Sequence, residues 1–173
     1  MRVINLYGGP GTGKSTTATG LFSLMKLAGY KVEFASEFAK DIVWDRAFDV
    51  LQDQLFIFAN QHRKIKRLEQ HGVDYVITDS PLLLSLNYMP KEYFRSFPDL
   101  VDDVYRSFNN FDVILRRVKP YAPYGRRQCE ASAKEMDDVI NHIVRDITDE
   151  YHIIDADAKA AETIFNLLME SEK

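Results

Sequence analysis

The amino-acid sequence predicts an α/β fold: a five-stranded parallel sheet with helices on both faces and a short lid. Three observations lead there. Short apolar runs alternate with stretches of helical period, an order that requires parallel strands joined by helical crossovers. The first run ends in a glycine-rich loop that opens a helix, and the third ends in a carboxylate, Asp79. Residues 3–7 are the first strand. From Ser15 the spacing of Ala18, Leu21, Phe22 and Met25 predicts a helix, closed by Gly29 as a C-cap. Residues 31–35 form the second strand, and over 47–70 Phe48, Leu51, Leu55, Phe58, His62, Ile65 and Leu68 fall on one helical face ended by Gly72. Residues 73–78 are the third strand. An irregular stretch with Pro90 and Pro98 then leads to a helical region carrying Leu100, Val104 and Tyr105. The fourth strand is 111–115, a loop covers 121–125, a polar helix runs over 131–149, the fifth strand is 151–154, and a helix over 158–169 closes the chain.

No linker, repeat or low-complexity tract divides the 173 residues, so one domain spanning 1–173 is expected. The net charge of -4 argues against a protein that coats nucleic acid without specificity, because such binding needs many phosphate-neutralising cations. Cys129 has no partner in the chain, so no internal disulfide forms. The apolar run before Gly8 is too short for a signal h-region or a membrane span. A cytoplasmic location is expected.

The loop Gly8, Gly9, Pro10, Gly11, Thr12, Gly13, Lys14, Ser15 satisfies G-x-x-x-x-G-K-[ST] between a strand and a helix, the context of a phosphate loop. Glycines let successive N–H groups converge on phosphate oxygens, and the helix N-terminus adds its positive dipole end. Lys14 is expected to reach the β and γ phosphates of ATP, Ser15 to bind Mg²⁺, and Thr16 to complete the cradle. A dinucleotide fingerprint is excluded, because it would need glycine where Lys14 stands. The fold is therefore that of a P-loop NTPase.

Asp79, at the end of an apolar strand, is the expected second metal group. Its neighbour is Ser80, where hydrolytic motor ATPases commonly carry a glutamate that activates water, and no N/T-K-x-D guanine-reading segment is present. Transfer to a second substrate is the favoured chemistry. Glu37, after the second strand, is placed to accept a hydrogen bond from an acceptor hydroxyl, to assist the metal, or only to start a helix. Residues 119–130, with Arg126 and Arg127, fit a lid that delivers a guanidinium and excludes water. Cations also gather at Arg63, Lys64, Lys66 and Arg67 and at Arg116, Arg117 and Lys119. Arg117 is a candidate for stacking on adenine or binding an acceptor phosphate.

The loop 8–15, the segment 36–40, Thr78-Asp79-Ser80 and Tyr124-Gly125-Arg126-Arg127 occur in an order that resembles small P-loop kinases of nucleosides and nucleotides. The likeness extends over nearly the whole chain. It looks closest to the ribosylnicotinamide-kinase-like branch and to phage kinases of 5-hydroxymethyluracil in DNA. The resemblance implies an ATP donor with Mg²⁺, Lys14 and Ser15 on phosphate and metal, Asp79 as metal organiser or base, Arg126 or Arg127 as lid arginine, and a nucleoside-type acceptor, most specifically 5-hydroxymethyluracil in phage DNA. A soluble nucleoside or nucleotide kinase is the alternative within that class. A regulatory ATP-binding or slow ATPase module is the alternative outside it.

Overall fold

The computed structural model describes residues 1–118 and 130–172. Strands β1 (Arg2–Tyr7), β2 (Val32–Ala35), β3 (Tyr75–Thr78), β4 (Asn109–Arg116) and β5 (Tyr151–Asp155) form one sheet in the order β2-β3-β1-β4-β5. All four pairings are parallel, as the alternation of elements predicts. The central strand β1 is nearly continuous apolar sequence because helices cover both of its faces. Ile4 and Leu6 join a core with Ala18, Leu21 and Met25 of α1 (Lys14–Leu27) and Ile164 and Leu168 of α7 (Ala160–Glu170). Val3 and Tyr7 face the other core, built from α3 (Gln54–Lys66), α5 (Phe97–Arg106) and α6 (Glu130–Ile147).

Two short helices, α2 (Phe38–Trp44) and α4 (Leu84–Tyr88), follow β2 and β3 at the carboxyl end of the sheet. The single helix expected over 47–70 is corrected. A 3-10 turn at Val50–Gln52 precedes α3, which starts after Asp53, whose side chain accepts the Phe56 N–H as an N-cap. Its buried face is Gln54, Ile57, Phe58, Gln61 and Ile65, whereas Leu55 and Phe48 are exposed. The apolar pattern misled because glutamine takes a core position: Gln61 accepts the Phe38 N–H and donates to Thr78 Oγ1, tying α2 and β3 to α3. Likewise α5 buries Phe97, Val101 and Tyr105 and leaves Leu100 exposed.

A polar group is also buried under β1. Asp112 of β4 lies opposite Asn5 and accepts hydrogen bonds from Asn5 Nδ2 at 2.9 Å, from the Tyr7 hydroxyl at 3.0 Å and from the Tyr105 hydroxyl. Burial pushes the Asp112 carboxyl above the usual carboxylate range, while the three donors oppose that rise. Tyr7 immediately precedes Gly8, so this network fixes the strand end from which the loop departs. Asp112→Ala removes the acceptor of the buried Tyr7 and Tyr105 hydroxyls and one of the two acceptors of Asn5 Nδ2, and is expected to lower stability by about 3 kcal/mol. Urea unfolding should show a lower midpoint with an unchanged slope.

Candidate active site

The chain enters the site at Gly8, where β1 ends between β3 and β4 and the direction of strand connection reverses. Such a switch point leaves a crevice at the carboxyl ends of the strands. Gly13 caps α1 with φ of 115°, a left-handed conformation in which a side chain is strained. Within the loop the Thr12 N–H bonds to Gly9 O, and the Thr17 N–H to Gly13 O. The N–H groups of Gly11, Gly13, Lys14, Ser15 and Thr16 have no acceptor among the described residues. Unpaired donors at the start of a 14-residue helix make an anion cradle. Four of the five lie within the stretch that the motif assigns to phosphate, and Thr16 follows it directly.

Lys14 folds back across the loop, its Nζ donating to Gly8 O at 2.6 Å and Gly9 O at 3.1 Å. Burial pulls its ammonium below the ordinary lysine value, and the carboxylates of Glu37, Asp79 and Asp137 oppose that shift. The crevice therefore brings two cations, Lys14 and Arg117, together with three carboxylates, of which Asp137 is paired with Arg117. Such a set can take a polyanion once a divalent cation accompanies it.

Asp79 follows β3 and is 4% exposed. Ser15 Oγ donates to its Oδ2 at 2.6 Å, while its Oδ1 is buried with no hydrogen-bond partner. An unpartnered carboxylate oxygen beside a hydroxyl, on the rim of a phosphate cradle, fits a hard divalent cation such as Mg²⁺. Among the described residues no three His, Cys, Asp or Glu side chains form a metal cluster, so phosphate and water oxygens would have to complete the shell.

Glu37 caps α2 at the crevice edge and is half-buried. Burial raises its carboxyl above the usual range, Lys14 pulls it back, and Asp79 raises it further. Tyr88, at the end of α4, feels Glu37 and Asp137, and its phenol is pushed up to about 12, mainly by burial. Tyr88 exposes aromatic surface there, and Trp44 of α2 and Phe56 of α3 are exposed on the neighbouring helices.

Arg117 reaches the loop from the end of β4. Its Nη2 donates to Pro10 O at 3.0 Å and to Thr12 Oγ1 at 3.1 Å, and its Nε donates to Asp137 Oδ2 at 2.8 Å. Other cations from the two basic groups are also engaged: Lys64 with Asp41, Lys66 with Glu69, and Arg116 with Asp155. Arg63 is exposed on α3 and Arg67 at its C-cap. Arg126, Arg127, Lys119 and the expected lid, apart from Glu130, lie outside the described residues.

Sequence reasoning missed Tyr88 and Asp137. Asp137 did leave a signal. Ala133, Asp137, Ile140 and Val144 follow the helical spacing of the stripe that α6 buries, so an aspartate stands where an apolar residue belongs. No comparable signal marked Tyr88, which sits in a five-residue helix within a stretch that reads as irregular.

The loop, its strand-to-helix context and the strand order define a P-loop nucleotide-binding domain. The chain belongs to the AAA domain family, whose model matches residues 3–161. No curated protein matches it. Among solved structures it is similar to that of NadR protein in complex with NR, with a TM-score of 0.73, 18% identity and 97% of this chain covered. The chain spans about half of that protein, 51% of its length. No described helix is long and apolar enough to cross a membrane.

The raised Glu37 carboxyl gives a pH test. Its folded value exceeds the unfolded one, so its ionisation opposes folding as pH rises through the folded value, and below the unfolded value the effect vanishes. Glu37→Gln is therefore expected to melt above the parent protein at pH 8 and level with it near pH 4, measured by calorimetry.

Proposed function

We propose that the protein is an ATP-dependent kinase that transfers the γ-phosphate to a hydroxyl of a nucleoside-type acceptor. The observation that carries this reading is the second carboxylate. Glu37 faces the same Lys14 as Asp79 does, from the opposite side of β3, on the edge that exposes aromatic rings. An acceptor with a flat ring can stack there and present its hydroxyl to the phosphate site. The fold shared with NadR, solved with NR bound, supports a small acceptor.

The cradle N–H groups hold the phosphates, and Lys14 leaves the loop carbonyls to meet charge growing on the transferring group. Ser15 and Asp79 would hold Mg²⁺, which supplies charge neutralisation at the phosphates. Glu37 accepts the acceptor's proton as its oxygen bonds to the γ phosphorus and the bond to the β–γ bridging oxygen breaks, with ADP leaving. A raised carboxyl value suits a group that must take a proton near neutrality. The residue after Asp79 is Ser80, whose N–H is bonded to Thr78 Oγ1, so that position offers no carboxylate to activate water.

The acceptor hydroxyl belongs either to a free nucleoside-type molecule or to a hydroxymethylated base such as 5-hydroxymethyluracil in DNA. Pairing of Lys64, Lys66, Arg116 and Arg117 with carboxylates weakens the cationic track that a DNA strand needs and favours the free acceptor. Labelled ATP with Mg²⁺ and a panel of nucleosides, monophosphates and hydroxymethyluracil oligonucleotides tests both. Labelled nucleoside or monophosphate supports the free-acceptor reading. A labelled oligonucleotide with unlabelled small acceptors reverses that preference, and acceptor-independent phosphate release makes the protein an ATPase instead.

Lys14→Ala is expected to reduce transfer to near background with the melting temperature little changed, because Lys14 stands at the first position of α1, outside both cores. Asp79→Asn is expected to slow single-turnover transfer by at least about 100-fold while ATP affinity changes little, since its work grows as the transition state forms. A pure affinity defect would contradict the role given to Asp79.

A further inference from the structure

The phosphate loop is braced from outside by a residue 128 positions away in sequence. Asp137 Oδ1 accepts the Gly9 N–H at 2.6 Å and the Thr12 hydroxyl at 3.2 Å, while its Oδ2 accepts Arg117 Nε. Arg117 in turn grips Pro10 O and Thr12 Oγ1. Both side chains are largely buried, at 10% and 19% exposure for Arg117 and Asp137, so the pair is shielded from solvent. The loop has room for this brace only because residue 9 is glycine: a Cβ there would lie 2.6 Å from Asp137 Oδ1 and 2.8 Å from Ala133 O. The contacts fall on Gly9, Pro10 and Thr12, and the unpaired N–H groups belong to Gly11 and Gly13 to Thr16, so the brace leaves the cradle donors open.

We propose that Asp137 is a positioning residue of the phosphate site, and that Arg117 both completes its grip on the loop and neutralises its charge toward the bound triphosphate. Two demands meet in this pair. The loop must be held in the curvature that aims its donors inward, and the carboxylate that holds it must not repel the anion those donors bind. Arg117 answers the second demand at close range, and its Nη1 is buried without a hydrogen-bond partner. The inference rests on the reading that the loop binds ATP.

It separates from a merely structural role through the sign of a rescue. Affinity for Mg-ATP is measured by titration calorimetry, with thermal melting as the control for folding, on Asp137→Asn, Asp137→Ala, Arg117→Ala and the double variant Arg117→Ala/Asp137→Asn. Asp137→Asn keeps an acceptor for Gly9 and is expected to lose about threefold or less, whereas Asp137→Ala loses about tenfold. Arg117→Ala leaves the carboxylate uncompensated and is expected to lose about 50-fold, and adding Asp137→Asn recovers most of that loss. Binding of adenosine, which has no phosphate, should change by less than about twofold throughout. Unchanged ATP affinity in folded Asp137→Ala overturns the inference, as does a double variant weaker than Arg117→Ala. If Arg117→Ala fails to fold, Asp137→Ala with its Asn counterpart still decides. A parent protein that binds no Mg-ATP sinks the functional reading, whereas a parent that binds with indifferent variants sinks this inference alone.

Discussion

The arrangement depends on a row of backbone N–H groups that the fold leaves without partners. A buried central strand has every polar group paired along its length, and it can release its chain into a site only where that pairing stops. In this protein it stops at Gly8, and the next paired run begins inside α1. The residues between them hold open donors at the point where the dipole of α1 adds to them. The other site groups are arranged around that electropositive spot. Asp79 comes from the strand on one side of β1 and Arg117 from the strand on the other, because parallel strands end together.

The electrostatics follow from burial. Lys14 alone would be costly to keep charged where it stands, and each surrounding carboxylate alone would be costly as an anion. Lys14 and Glu37 each offset part of the other's burial penalty, while Asp79 adds to the rise at Glu37. A crevice with more carboxylates than cations takes an anion best with an accompanying cation, and the free Asp79 oxygen marks a place for one. Charge balance and ligand chemistry thus point to the same species.

Most of the fold was legible because periodicity and glycine placement report local constraints. All five strands and the loop fell where alternation and the Gly8 to Ser15 pattern placed them. What was not legible depended on partners distant in sequence. Gln61 occupies a core position since its hydrogen-bond partners on α2 and β3 are supplied only by the folded chain, and so the face of α3 came out rotated. Arg117 was singled out for adenine or an acceptor phosphate, whereas its pairing with Asp137 required knowing where α6 runs. Asp137 broke an apolar stripe in plain view, yet a polar residue within a polar helix draws notice only when its neighbours in space are known.

The Gly9 contact also sets an order in time for a chain made from its N-terminus. The loop emerges early, but the carboxylate that seats its second residue follows 128 positions later, and β4, which flanks β1, also comes after it. A ribosome-bound fragment ending before α6 carries the whole phosphate motif without the helix that presses on it. The nascent protein therefore passes through a stage in which its nucleotide signature is written but not yet held in shape, and the contact that seats Gly9 closes only once α6 has emerged.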